Sequence, residues 1–262
     1  MMNELDHDPL TAELAGLAAD APARVFDRVA ARWVRVPGPA GDLYVAFTDH
    51  GICYVRADAV VPDEVSFAAG FGERFGRPLL AASRPPAGLL PALRTGRTGG
   101  LRFDLRDVRP FQREVLLATA RIPAGQVRPY SWIAAQIGRP KAVRAVGTAL
   151  GRNPVPVLIG CHRVVPAGGG SGDYVFGPAM KRRLLQAEGV DLDEVDALAR
   201  RGVHYLASGT TGVVCFPTCP NARRITQAHR HGFRTLEDAA GAGYRPCRQC
   251  QPVLAQVAAE RS

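Results

Sequence analysis

The apolar residues Leu14, Leu17, Ala18, Val25, Phe26 and Val29 recur at helix-like spacing, which predicts a helix over 10–33. Two strand-like runs follow, Leu43–Phe47 and Ile52–Val55, separated by the turn residues Asp49-His50-Gly51. Residues 62–98 mix helix and loop. Residues 1–105 therefore read as a small α/β domain without recognisable chemistry, and Cys53, in an apolar strand, reads as a core residue. From Pro110 the pattern becomes helical. Phe111–Ala120 leads into the turn Pro123-Ala124-Gly125, and Ser131–Ile137 and Lys141–Leu150 then flank Gly138-Arg139-Pro140 in the outline of a helix-turn-helix. Asn153-Pro154 ends the second of these helices. Val155–Ile159 reads as a buried strand or extended segment running straight to Cys161. A glycine-rich loop covers 168–172, and Pro178–Glu188 reads as a helix. Residues 191–203 are acidic, then basic, helical and too short for a domain, so they read as a linker. The last unit, 204–262, has few large apolar residues. The fold class is therefore α/β in front and mostly helical behind, with a helix-turn-helix unit over 106–190.

Composition adds limits. Hydrophobic residues make up 47% of the chain, enough for a sizeable core. No run of eighteen apolar residues occurs, and the acidic start MMNELDHDPLTAEL lacks the features of a secretion signal. The expectation is a cytoplasmic, monomeric protein with no membrane partner. Net charge is +9 but unevenly placed: −4 over 1–60, +5 over 121–200 and +5 over 201–262. Clustered arginine displaces counterions from phosphates, so the rear half is where a polyanion would bind. A solvated basic surface fits the same numbers. Only Lys141 and Lys181 are lysines.

Six cysteines occur, four of them near the end as C-x3-C (Cys215, Cys219) and C-x2-C (Cys247, Cys250). Short pairs across a loop are how a chain offers four thiolates tetrahedrally to zinc, and a unit with so little core needs such a staple. His229 and His231 are further possible ligands, redundant beside four thiolates. Elsewhere, Cys161-His162-Arg163 sits at the edge of an apolar run. A thiol becomes a nucleophile where a base or a positive charge favours thiolate. Neighbours in an extended chain point to opposite faces, so on these three residues alone a buried structural cysteine is the simpler reading.

The surroundings change that. From Ile122 to Gly189 the chain carries, in order, P-x-G-x-V, Y-x-x-I-A, R-A-V-G-x-A, N-P, C-H-R-V-V, G-x-Y and L-L-x-x-E-G. In this order and spacing they closely resemble the O6-alkylguanine-DNA alkyltransferase family, and residues 35–105 resemble its N-terminal domain more loosely. The resemblance implies a suicide methyltransferase acting on double-stranded DNA that contains alkylated guanine. Cys161 would be the alkyl acceptor. His162 would take its proton through a water, and Glu188, otherwise an ordinary helix-end carboxylate, would polarise His162, in the logic of a hydrolase triad. Tyr130 would donate its phenolic proton toward the leaving guanine, and Asn153 would bridge the helix-turn-helix to the cysteine loop. Arg144, with Lys141 nearby on the recognition helix, would fill the space of the flipped base. Carbonyls of Cys161 and Val164 and the amide of Val175 would read the guanine. Two departures stand out. Gly160 replaces the usual proline, which would loosen the loop, and Val175-Phe176 replace smaller residues, which would narrow the pocket unless Phe176 points outward.

The segment G-T-T-G-V-V-C-F-P-T-C with G-Y-R-P-C-R-Q-C-Q-P is similar to the Ada-type zinc-binding domain, over 203–253. That resemblance implies zinc on Cys215, Cys219, Cys247 and Cys250. It also implies Cys215 as a second methyl acceptor for methylphosphotriesters, with Thr211, Arg223, Arg224 and Arg245 as phosphate contacts. Gly209 stands where a basic residue is usual. A non-enzymatic lesion-binding protein and a methylation-sensing regulator are the competing readings; the intact Cys161, His162 and Glu188 argue against the first, and the lack of a second helix-turn-helix unit against the other.

Overall fold

The computed structural model describes residues 30–253 apart from Ser171. Its first module is a four-stranded sheet of β1 (Ala31–Gly38), β2 (Gly41–Thr48), β3 (Gly51–Ala57) and β4 (Leu79–Ala81) in the order β3-β2-β1-β4. Only β1 and β4 run parallel; the other pairs are antiparallel. Alternation divides the sheet's faces. Tyr44, Ala46 and Tyr54 pack against Phe67 and Phe71 of helix α1 (Glu64–Phe75). Val34, Val36, Leu43, Val45 and Val55 face the core shared with the second module. Asp63 caps α1 by accepting from the Ser66 amide at 2.7 Å. Cys53 is buried in β3, as expected. The expected helix over 10–33 lies outside the described residues as far as 29, and at its end residues 31–33 are strand. There Trp33 stands opposite Ala46 and Val34 opposite Val45 in the ladder with β2, while the residues that set the helical spacing, Leu14 to Val29, lie outside the described residues.

The second module contains α2 (Leu89–Thr95), α3 (Pro110–Ala120), α4 (Tyr130–Gln136), α5 (Val143–Gly151) and α6 (Gly177–Ala187). Helices α4 and α5 form the expected helix-turn-helix, with Gly138 at φ 70 between them. Two short strands, β5 (Arg128–Pro129) and β6 (Val164–Val165), pair in parallel and tie the start of α4 to the segment after Cys161. Val155–Ile159 is not a strand. It is a run of tight turns with Val157 at φ 72, and Ile159 N donates to Val155 O at 2.9 Å. An apolar run announces burial, but no neighbouring edge is there to make it a strand. The edge of β3 is met instead by Pro154, whose carbonyl accepts from Val55 N at 2.8 Å.

The segment expected to be a linker is a packed helix, α7 (Leu192–Arg200), with Leu192 and Leu198 buried. Asp196 on it accepts from the Gly170 amide at 2.9 Å, and Glu194 pairs with Arg230 at 3.1 Å. The third module has a small sheet, β10-β8-β7-β9, made of β7 (Tyr205–Ser208), β8 (Val213–Cys215), β9 (Arg230–Phe233) and β10 (Arg245–Pro246). Helices α8 (Pro220–Arg223) and α9 (Leu236–Gly241) complete it. Its core is continuous with that of the second module. No helix among the described residues is long and apolar enough to cross a membrane.

Candidate active site and metal centre

Cys161, His162 and Arg163 form one turn of 3-10 helix, and all three are buried. The turn, unlike an extended strand, lets neighbouring side chains diverge within one site. Asn153, at the end of the helix-turn-helix, uses its amide twice: Nδ2 donates to Ile159 O and to Cys161 Sγ, both at 3.1 Å. Its Oδ1 accepts from Val155 N at 2.9 Å. His162 Nε2 lies 2.8 Å from Glu188 Oε1. Facing a carboxylate, Nε2 carries the proton, so Nδ1, which is buried without a protein partner, keeps its lone pair. Burial pushes the His162 pKa down, with Glu188 pulling it back up. Burial alone would raise Glu188, but hydrogen bonds and charge from His162 and Arg163 outweigh it and hold the carboxyl at about 2. The Cys161 thiol is pushed up to about 11 by burial, against the Asn153 bond and the nearby charges of Lys181 and Arg163.

Two buried cations in this site were not singled out from the sequence. Arg163 donates to Glu188 at 2.7 Å, to Ile122 O at 2.8 Å and to Gly96 O at 3.2 Å. Lys181 Nζ donates to Val164 O at 2.7 Å and to Asp173 O at 3.3 Å, and burial lowers its pKa to about 8. Its rarity was the available signal: it is one of two lysines in an arginine-rich chain. Tyr130 opens α4 half-buried, with its pKa raised by burial and then by Asp173 and Cys161, so it keeps its proton. Val164 follows the cysteine turn, and Val175 is half-buried beyond it. Arg144 and Lys141 are exposed at and just before the start of α5. That helix neighbours Tyr130, whose ring lies 3.9 Å from where a Cβ on Gly147 would stand, an ordinary contact distance.

The thiols of Cys215, Cys219, Cys247 and Cys250 are buried, their sulfurs within 4.8 Å of one another. Four thiolates this close repel unless a cation sits among them, and an all-sulfur tetrahedral set suits zinc. Neither His229 nor His231 joins them. Beside the cluster is a cavity of about 530 Å³, lined by Cys215, Thr211, Arg224 and Arg245 among others. Arg223 is not part of it. Its guanidinium donates to Gly125 O of the second module at 2.6 Å, so it does not join the other candidate phosphate contacts.

Comparison with known proteins places both units. Residues 110–190 match the model of the 6-O-methylguanine DNA methyltransferase DNA-binding domain, and residues 194–253 match the metal-binding domain of Ada. Methylated-DNA–protein-cysteine methyltransferase of Salmonella typhimurium is 50% identical over 80 residues, 30% of this chain and 47% of that protein. Its Mycobacterium tuberculosis counterpart is 46% identical over 86 residues, 33% of this chain and 52% of that protein. A solved variant of the Mycobacterium tuberculosis O6-methylguanine methyltransferase is 30% identical with a TM-score of 0.50, covering 61% of this chain and 92% of that one.

The chain belongs to the O6-methylguanine-DNA methyltransferase family.

It spans about half the length of the curated relatives it matches. The two departures from the family pattern now have surroundings. Gly160 is closely covered, because a Cβ there would stand 2.9 Å from Cδ, Nε and Cζ of Arg163. The expected looseness is therefore offset by a buried side chain packed onto the glycine. Phe176 does not point outward. It is buried in the core, edge-on to Tyr174 at 5.6 Å, and Tyr174 in turn sets its edge against His162 at 6.1 Å.

Proposed function

We propose that this chain removes alkyl groups from O6 of guanine in double-stranded DNA and keeps them irreversibly on Cys161, acting as a monomer in the cytoplasm. The observation that carries the reading is one cluster: Cys161 Sγ held by Asn153, beside a His162 whose Nε2 is tied to Glu188 and whose Nδ1 is free of protein partners. Because O6 lies inside the base stack, the nucleotide must first be extruded, and Arg144 on the exposed start of α5 would fill the gap. The carbonyls of Cys161 and Val164 and the amide of Val175 would hold the guanine. The thiol proton passes to His162 Nδ1 through a water, and the resulting imidazolium is stabilised by Glu188. The sulfur electron pair forms the new S–C bond as the C–O6 bond breaks. The electrons left on the guanine are met by the Tyr130 phenolic proton. A thioether is not hydrolysed, so each molecule acts once.

A second acceptor is favoured by the cavity beside the metal cluster. Zinc, when bound there, keeps the four thiolates ionised at neutral pH. Cys215 Sγ would attack the methyl carbon of a methylphosphotriester, releasing a phosphodiester anion to Thr211, Arg224 and Arg245. The test of both is intact-protein and peptide mass spectrometry of zinc-loaded protein, after O6-methylguanine DNA and, separately, methylphosphotriester DNA. One methyl on Cys161 from the first substrate, lost in Cys161→Ala, is expected. A lesion-binding protein would bind that DNA and gain no mass. With Cys161→Ala and the triester substrate, a methyl on Cys215 is expected, and no methyl on any zinc cysteine would leave that module as a DNA-binding staple.

A further inference from the structure

The third module touches the second through side chains and carbonyls that lie next to its metal ligands. Thr218, between Cys215 and Cys219, places Oγ1 3.0 Å from Val127 N, which donates to it. Arg223, on the helix that begins just after Cys219, donates to Gly125 O at 2.6 Å. Phe216, next to Cys215, lies under the Arg128 guanidinium at 4.8 Å. Gln251, next to Cys250, accepts from Trp132 Nε1 at 2.8 Å. Three of these four contacts land on one short turn, 125–128.

That turn also holds the candidate catalytic carboxylate. The Gly125 amide donates to Glu188 Oε2 at 2.9 Å, while Oε1 engages His162. Gly125 sits at φ 74, and a Cβ there would lie 2.8 Å from Glu188 O, so the turn and the helix end are in direct contact. Arg128 makes the turn depend on the metal module in a second way. It is buried with only neutral partners, Gln126 Oε1 at 2.6 Å and Val127 O at 2.8 Å, and its Nε has none. A buried cation without a counter-charge is costly. Burial pulls the Arg128 pKa down, and the cysteines of the metal cluster pull it back up.

We propose that the metal module is a positioning element for alkyl transfer: Arg223 and Thr218 clamp the Gly125 turn, and the turn fixes Glu188 and hence His162 beside Cys161. This rests on the alkyl-transfer reading of Cys161. Arg223 touches neither substrate nor the reacting atoms; it acts through Gly125 and Glu188. A module that served only to bind DNA would change how much DNA is needed, whereas a positioning module changes the rate once DNA is bound.

The test is single-turnover transfer by the full, zinc-loaded chain across concentrations of O6-methylguanine duplex, with zinc content checked for every variant. Arg223→Leu is expected to lower the maximal rate by about tenfold, the scale of a slightly misplaced catalytic group, and to leave the half-saturating concentration within about twofold. Arg223→Lys, which can still donate to Gly125 O, should recover most of the rate. Arg248→Leu, an exposed arginine between two metal ligands, is the charge-matched control and should transfer like the unmodified chain. Amide exchange in the peptide containing Gly125 should rise in Arg223→Leu and not in Arg248→Leu. An unchanged maximal rate in Arg223→Leu, or a change confined to half-saturation, overturns the proposal while leaving Cys161 as acceptor. No transfer by the unmodified chain would overturn the underlying reading instead.

Discussion

Glu188 shows how much one residue's meaning depends on its partners. In sequence it is a carboxylate before a glycine. In the fold it receives His162, Arg163 and the Gly125 amide, and its carboxyl is held at about 2 against an ordinary 4.5. A lowered carboxylate pKa stabilises the fold fully above the unfolded value, and that part is lost as pH falls from about 4.5 toward 2. It is worth roughly 3 kcal/mol at most. Glu188→Gln should therefore be less stable than the unmodified chain near neutral pH, and denaturant titrations should show the gap closing through that window; a gap independent of pH would contradict it. Lys181 supports the thiolate from the other side. Lys181→Met keeps most of the buried volume but removes the cation that favours ionised Cys161, and it also frees Val164 O. Transfer is expected to slow by about tenfold or more with the maximal rate affected, since a neighbouring charge is worth on the order of one pKa unit. Rapid-quench kinetics checks this. At Gly160, the 2.9 Å approach of Arg163 predicts that Gly160→Ala displaces that arginine from Glu188 and slows transfer too.

At the scale of elements, α5 separates its tasks by face. Val146, Ala149 and Leu150 are buried, while Arg144 stays in solvent, as does Lys141 just ahead of the helix. The helix is anchored from behind by Gln112 of α3, whose amide donates to Ala149 O at 3.1 Å and to Arg152 O at 2.9 Å, taking up carbonyls that a helix end leaves open. Arg144→Ala should thus leave the fold intact. It should weaken transfer from duplex DNA more than from free O6-benzylguanine, because a free base needs no extrusion. Equal losses on the two substrates would remove Arg144 from the flipping step. The amphipathic pattern of this helix was readable in the chain. The turns at 155–159 were not, because an apolar run shows that a segment is buried without showing what it will pair with.

Over the whole molecule, the modules share a core that runs from Val34 of the first sheet to Cys250 of the metal cluster. Trp132 and Phe216 lie in that core where the second and third modules meet. Metal binding is then folding energy for more than the small module that carries the ligands. Calorimetry of the zinc-loaded chain should show one cooperative transition. Chelation should lower the melting temperature of the second module as well, read from Trp132 fluorescence in a Trp33→Phe chain; two independent transitions would mean the modules merely adjoin.

The sequence by itself determined the pieces whose logic is local. The two cysteine pairs announce a tetrathiolate site by spacing, the glycine between two short helices announces their turn, and the ordered motifs around Cys-His-Arg mark Cys161 as the candidate acceptor. Only the tertiary structure decided which charges face one another. Buried Arg163 reaches the carbonyls of Ile122 and Gly96 and buried Lys181 turns back onto Val164, while Arg223, itself exposed, reaches across to Gly125 O. The physical reason is that arginine and lysine are stable in water and carry no periodic signature of burial. They go inside only when chain segments distant in sequence close around them with acceptors enough to replace that water.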